Sequence, residues 1–252
     1  MRRVPAILLA ALLLLPGCIG DDEESGPITL KVGADVTEGH VEVVKGQNDQ
    51  VISSSEVEVT FDFTDTFSGD GAVQTYWLQP GDGGAFQEVN AAETNTITHE
   101  YPAHGAFQAT AGANDSAGNS ASKAIRITIH LVLFLNESSA TGTDDPSDVT
   151  WDTSSEHSIA APLKTSIESR VVNLENLFFI ESETVEVTWT AVDPNDETAG
   201  TQTASITEGD EYTWSFEQST PELGPWVLHI DLDTQDEQVQ VYTKIHVMYP
   251  TS

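Results

Sequence analysis

Cysteine is almost missing from this chain of 252 residues: Cys18 is the only one, so no internal disulfide can brace the fold. Bases are scarce as well, nine Lys and Arg against 41 Asp and Glu, a net charge of -32. A surface of that sign repels phosphate backbones and anionic headgroups, which excludes nucleic acid as a partner. No apolar run reaches the roughly 20 residues of a membrane-spanning helix, and no stretch beyond residue 18 keeps a helical period. Catalytic signatures are lacking too. There is no Gly-x-Ser-x-Gly nucleophile setting, and the seven histidines, at 40, 99, 104, 130, 157, 229 and 246, form no His-x-x-x-His or His-Glu-x-x-His pair. With 41 acids, carboxylate pairs occur everywhere and discriminate nothing. The chain therefore reads as a non-enzyme.

What is present begins with the amino terminus. Arg2 and Arg3 precede the apolar run Ala6–Leu15, and Pro16-Gly17-Cys18 follows, the order of an export signal. Leu15-Pro16-Gly17-Cys18 resembles the lipobox of bacterial and archaeal lipoproteins, with Pro16 as the departure from the usual small residue. The resemblance implies removal of residues 1–17, a diacylglyceryl group on Cys18 and attachment to the outer face of the cell membrane; a plain secretory signal with an incidental Cys is the alternative. Two acyl chains on one residue supply the two hydrophobic signals that stable anchoring requires. Residues 18–27, with Asp21-Asp22-Glu23-Glu24, read as an acidic tether. Without Arg2 and Arg3 the mature chain carries seven bases against 41 acids, or -34. Acidity spread over the whole length with little Lys looks like the proteome of a salt-adapted organism, an archaeon, because concentrated ions screen self-repulsion. A dedicated cation-binding protein is the competing explanation.

The rest of the chain predicts an all-β protein of two consecutive immunoglobulin-like sandwiches. Apolar residues fall on alternate positions in Val57–Phe63, Lys123–Leu131, Thr184–Ala191 and Val239–Val247, as strands with one buried face require. The polar, turn-rich run Asn136–Asp148 interrupts this pattern. It predicts a first sandwich over 28–131, a linker over 132–156 and a second sandwich over 157–252. In Trp226, Leu228, Ile230 and Leu232 one face of a late strand is apolar.

Several motifs stand in order in the first half: Phe61-Asp62-Phe63-Thr64-Asp65, Tyr76-Trp77 before Gly81-Asp82-Gly83, Thr98-His99-Glu100-Tyr101, then Gly105–Ala111 and Asn114-Asp115-Ser116-Ala117-Gly118-Asn119. Together they resemble the PKD domain, an immunoglobulin-like sandwich of archaeal and bacterial surface proteins. The family has Trp-Asp-Phe-Gly-Asp-Gly where this chain has Trp77-Leu78-Gln79-Pro80-Gly81-Asp82-Gly83, so the turn is longer and any role of the missing Asp lapses. Gly81 and Gly83 suit positive φ, Asp82 suits bonds to neighbouring amides, and Trp77 is expected in the core rather than as a ligand platform. The closing strands of the second half resemble, over some thirty residues, secreted modules such as pre-peptidase C-terminal domains. That likeness bears on architecture alone.

Few residues stand out as site candidates. His99 and His104 are neighbours around a turn, and His130, His229 and His246 sit at strand positions expected to face solvent. No cofactor is expected. Calcium is the one ion with candidate loops, Asp144-Asp145-Pro146-Ser147-Asp148 and Asp231-Leu232-Asp233, neither with EF-hand spacing; solvated loops are the simpler explanation. Asn114 and Asn136 each open an Asn-x-Ser sequon for glycosylation. The expected role is a lipid-anchored surface protein that contacts proteins or carbohydrate, or acts as a spacer. The alternative is an accessory or binding subunit of a surface hydrolase or transporter.

Overall fold

The computed structural model describes residues 27–137, 142–174, 184–233 and 238–251; the signal, Cys18 and most of the acidic tether lie outside them. The first half contributes β1 (Ile28–Thr29), β2 (Gly33–Ala34), β3 (Glu38–Gly46), β4 (Gln50–Ser54), β5 (Val57–Asp62), β6 (Phe67–Ser68), β7 (Val73–Gln79), β8 (Gln87–Asn90), β9 (Thr96–Tyr101), β10 (Gly105–Asp115) and β11 (Ser120–Glu137). The second contributes β12 (Val149–Asp152), β13 (Lys164–Asn173), β14 (Thr184–Val192), β15 (Thr198–Thr207), β16 (Glu211–Ser219), β17 (Pro225–Leu232) and β18 (Val239–Met248). A 3-10 turn at Gln47–Asp49 is the one helical element among the described residues.

Two cores follow from the alternation. Val59, Phe61, Phe63, Tyr76, Leu78, Tyr101, Phe107, Ile127 and Ile129 fill the first, with Phe63 stacked on Tyr76 at 4.7 Å. Val185, Val187, Trp189, Ala191, Trp226, Leu228, Ile230, Val239, Val241, Ile245 and Val247 fill the second, as their spacing requires. Its tryptophans bring polar N–H groups inside, and three of the four find acceptors: Trp189 donates to Ser169 Oγ at 3.0 Å, Trp151 to Thr165 Oγ1 at 3.2 Å and Trp226 to the Glu222 carbonyl at 2.9 Å.

The two sandwiches share a strand. One nine-stranded sheet runs β16-β13-β18-β11-β10-β7-β8, with β3 on β11 and β4 on β3. Along β11, residues 120–129 pair with β10 and residues 131–137 pair with β18, both antiparallel. On the opposite edge β3 runs parallel beside residues 128–135 and so bridges the junction. Ile127 and Ile129 enter the first core, while Leu131, Leu133 and Leu135, on the same face, enter the second. The stretch 132–156, expected as a linker, is thus strand over Val132–Glu137 and again over Val149–Asp152. The run Leu131-Val132-Leu133-Phe134-Leu135 breaks the alternation because its outward residues, Val132 buried and Phe134 half-buried, are apolar too, not because the strand ends.

A second sheet, β12-β17-β14-β15, closes the second sandwich, and β2-β5-β9 with the short β1-β6 pair closes the first. The loop after β12 also holds the halves together. Ser158 Oγ accepts the Ala106 amide at 2.9 Å, and the Ile159 amide donates to the Ala106 carbonyl at 2.7 Å.

A candidate binding face on the nine-stranded sheet

Trp77 is not in the core. In β7 the inward positions are Tyr76 and Leu78, which leaves Trp77 between them on the outer face of the long sheet, half-buried. Its register partner on β10 is Gly112, where a Cβ would lie 2.3 Å from the indole ring; the bare backbone lets the ring lie flat. Phe86, 55% exposed, stacks on it at 5.8 Å and 30°. Two adjacent aromatic positions cannot both face one core, and the alternation set by Tyr76 decides which turns out. Phe86, from the loop before β8, had no signal in the sequence.

The Gly-Asp-Gly motif below this pair is a turn, as its residue types suggest. Gly81 and Gly83 have φ of 86° and 91°. Asp82 accepts the Gly84 amide at 2.8 Å through Oδ1 and faces His99 Nε2 at 2.8 Å through Oδ2; His99 Nδ1 lies 3.1 Å from Gln87 Nε2. The buried Tyr101 hydroxyl donates to the Pro80 carbonyl at 3.0 Å. This Gln87–His99–Asp82 chain fixes the turn. Asp115 organises the next turn: it accepts from the amides of Ala117 and Asn119, the Asn119 side chain and the Ser68 hydroxyl at 2.7 to 3.0 Å. The Asn119 side chain first, then the other donors, hold its carboxyl down at about 2.

On the same outer face, where the sandwiches meet, His40, His130 and His246 gather with ring centroids 5.2, 5.5 and 6.0 Å apart. His130 and His246 were expected in solvent. His130 is 5% exposed because the carboxyl-terminal residues cross over β11: the Tyr249 amide donates to His130 Nδ1 at 3.0 Å, and Arg126 donates to the Pro250 carbonyl at 2.8 Å. His130 Nε2 faces Glu38 at 3.2 Å. With both nitrogens engaged, His130 has no lone pair for a metal. His246 keeps a buried Nε2 without a partner, and burial, then the neighbouring His40, His130, Lys244 and Lys164, push it down to about 4. Among the described residues no group of three His, Cys, Asp or Glu is arranged to hold a metal ion.

The other candidates scatter. His104 bonds the Tyr249 hydroxyl at 2.8 Å, in a network separate from His99, and burial lowers its pKa. His229, part-exposed, pairs with Asp148 at 2.9 Å. Asp233 Oδ1 accepts the Glu186 amide of β14 at 2.8 Å, whereas in the other loop it is the backbone amide of Asp145 that donates to Thr143 Oγ1, at 3.2 Å. Asn114 is half-buried on β10 and donates to Thr75 Oγ1 at 3.1 Å, whereas Asn136 is exposed near the end of β11; Ser138 of its sequon lies outside the described residues.

Beyond the histidines the outer face holds a shallow groove of about 300 Å³. Phe134 and Tyr242 form its floor, Arg170 sits 4.3 Å over the Tyr242 ring, Lys244 sits 5.7 Å from Phe134, and Glu168 and Asn136 stand at the sides. Arg170 also pairs with Glu211 at 2.8 Å. Four of the chain's scarce bases, Arg126, Lys164, Arg170 and Lys244, project from this one face. Cross-strand register assembles the groove from residues far apart in sequence, so no local motif announces it.

No curated protein matches the chain. Among solved structures, it is similar to a carbohydrate-binding module of the β-sandwich superfamily, at 14% identity and a TM-score of 0.33, covering 87% of this chain and 97% of that one. It is also similar to the fibronectin(III)-like modules of Clostridium thermocellum CbhA, at 12% identity and a TM-score of 0.28, covering 80% and 91%. Residues 42–129 match the family model described as the PKD domain. That match runs from within β3 to within β11 and takes in the turns fixed by Asp82 and Asp115 and most of the first core. Over these residues, about a third of the 252, the chain is similar to the PKD domain family.

Proposed function

We propose that this protein is a non-catalytic cell-surface module, held at the membrane through Cys18, that binds glycan chains on the outer face of its nine-stranded sheet. The observation that carries the reading is the stacked pair of half-buried Trp77 and exposed Phe86, displayed on the outer strand surface rather than used in the core. Aromatic faces stack on the apolar C–H faces of sugar rings, and neighbouring polar groups bond the hydroxyls. Glu88, directly across from Trp77 on β8, and the exposed Gln79 of the same strand are placed to do so. A rigid scaffold that presents such a face needs no catalytic group.

The test is binding of the purified full chain to an immobilised glycan panel, followed by titration of the best ligand. Trp77→Ala and Phe86→Ala should each weaken binding by roughly tenfold or more while circular dichroism stays unchanged. Glycan binding that survives both substitutions, or no glycan binding at all, would remove this reading. Mass spectrometry of the membrane-derived protein tests the anchor: a diacylglyceryl adduct on an amino-terminal Cys18 is expected, and an unmodified thiol would refute it.

A further inference from the structure

β15 ends the sheet β12-β17-β14-β15, and no described strand pairs with its second edge. It is ten residues long and reads Thr-Ala-Gly-Thr-Gln-Thr-Ala-Ser-Ile-Thr, without one charge, in a chain where about one residue in six is acidic. Other edges are defended. β16 carries Glu211 and Glu217, β8 carries Glu88 and β12 carries Asp152; β4 is uncharged but spans five residues. Its register with β14 breaks once, at Ala199, and is regular over residues 200–207; an edge of that length without Lys, Pro or acid is a template for pairing with another chain, and proteins ordinarily guard against that.

We propose that β15 joins a second copy of this chain, edge to edge and antiparallel, so that two four-stranded sheets become one of eight. The occupant follows from charge and shape. Two molecules of net charge -32 repel wherever acids face, and β15 offers a strip where none do. The strip also complements itself. With the two-fold axis at Thr203, that residue faces its own copy, Thr201 faces Ser205, Gln202 faces Ala204 and Gly200 faces Ile206. Apart from Ile206, which is buried and faces Gly200, every facing residue is small, amide or hydroxyl, and Thr–Thr and Thr–Ser cross-strand pairs are favourable. Thr201, Thr203, Ser205 and Thr207 are exposed on one face, and Thr203 already shares a hydroxyl contact of 3.0 Å with Thr188 on β14, which orders the side chain at the axis. Such an interface is isologous and closes at two.

Sedimentation equilibrium of the purified full chain in molar salt, where surface repulsion is screened, tests this. A monomer–dimer equilibrium is expected. Thr203→Asp sets two carboxylates against each other at the axis and should raise the dissociation constant roughly tenfold or more. Thr188→Asp, on the same face but one strand inside the edge, should leave it unchanged. In a Cys18→Ser background, Thr203→Cys should oxidise to a disulfide-linked dimer, which keeps the test open if Thr203→Asp fails to fold. A monomer at every concentration, a dimer indifferent to Thr203→Asp, equal weakening by both Asp variants, or a Thr203→Cys chain that stays monomeric under oxidation would each overturn the proposal.

Discussion

At the scale of single residues, the structure turns on a few side chains whose partners are not their sequence neighbours. Gly112 is one. A Cβ there would meet the Trp77 ring at 2.3 Å and the Ala121 carbonyl at 2.6 Å. Gly112→Ala should therefore cost about 1–3 kcal/mol in urea unfolding and alter the Trp77 emission, whereas Gly118→Ala, in open space but at positive φ, should change stability without touching that emission. Asp115, His246 and His104 all contribute to the acid limb of stability. His246 binds its proton less well folded than unfolded, so its contribution is complete above the ordinary histidine range and is lost as pH falls from about 6.5 to about 4. Asp115 is depressed in the fold, so its contribution holds above about 3.8 and is lost as pH falls toward about 2. Thermal melts should show a decline in the first window that His246→Gln flattens and one in the second that Asp115→Asn removes. A slope unchanged in either variant would mean that another group governs it.

At the scale of elements, β11 is the informative strand. Its alternation through Ile125, Ile127, Ile129 and Leu131 was legible in the sequence, as were the inward faces of β5, β14, β17 and β18, because one-sided burial writes itself as a period of two. The continuation past Leu131 was not. A strand apolar on both faces loses its period, and the polar Asn136–Asp148 run then looks like the end of a domain rather than the end of a strand. Tyr76-Trp77 shows the same limit, since two adjacent aromatics fit either register and the choice depends on what β10 places underneath. The groove is harder still: Phe134, Arg170 and Tyr242 belong to three strands whose alignment no local pattern encodes. Shared ladders also bear on cooperativity. Leu133→Ala should cost about 2–5 kcal/mol. Because β11 and β3 belong to both halves, Trp77 emission and the signal of the four second-half tryptophans should lose structure in one transition; two resolved midpoints would show that the halves unfold independently.

For the whole molecule, charge is the dominant variable. A net charge of -32 spread over a monomer opposes compaction, and ions screen it within about 10 Å at 0.1 M and about 3 Å at 1 M. The melting temperature should accordingly climb by several degrees or more between millimolar and molar NaCl, and a salt-independent value would contradict the idea that the composition is an adaptation to brine. The outer face of the nine-stranded sheet, where four of the nine bases gather, departs from this acidity.

The uninterrupted run of β11 from one sandwich into the other makes the molecule a ruler. Its 18 residues span about 60 Å, with hydrogen-bonded neighbours on both edges at the crossing and no hinge between the halves. The Trp77–Phe86 pair and the Tyr242 groove are thereby held on one face at a set spacing. A polymer long enough to reach both would meet the second site at an effective concentration fixed by that spacing, without first stilling a flexible joint, and a shorter one would gain nothing from it.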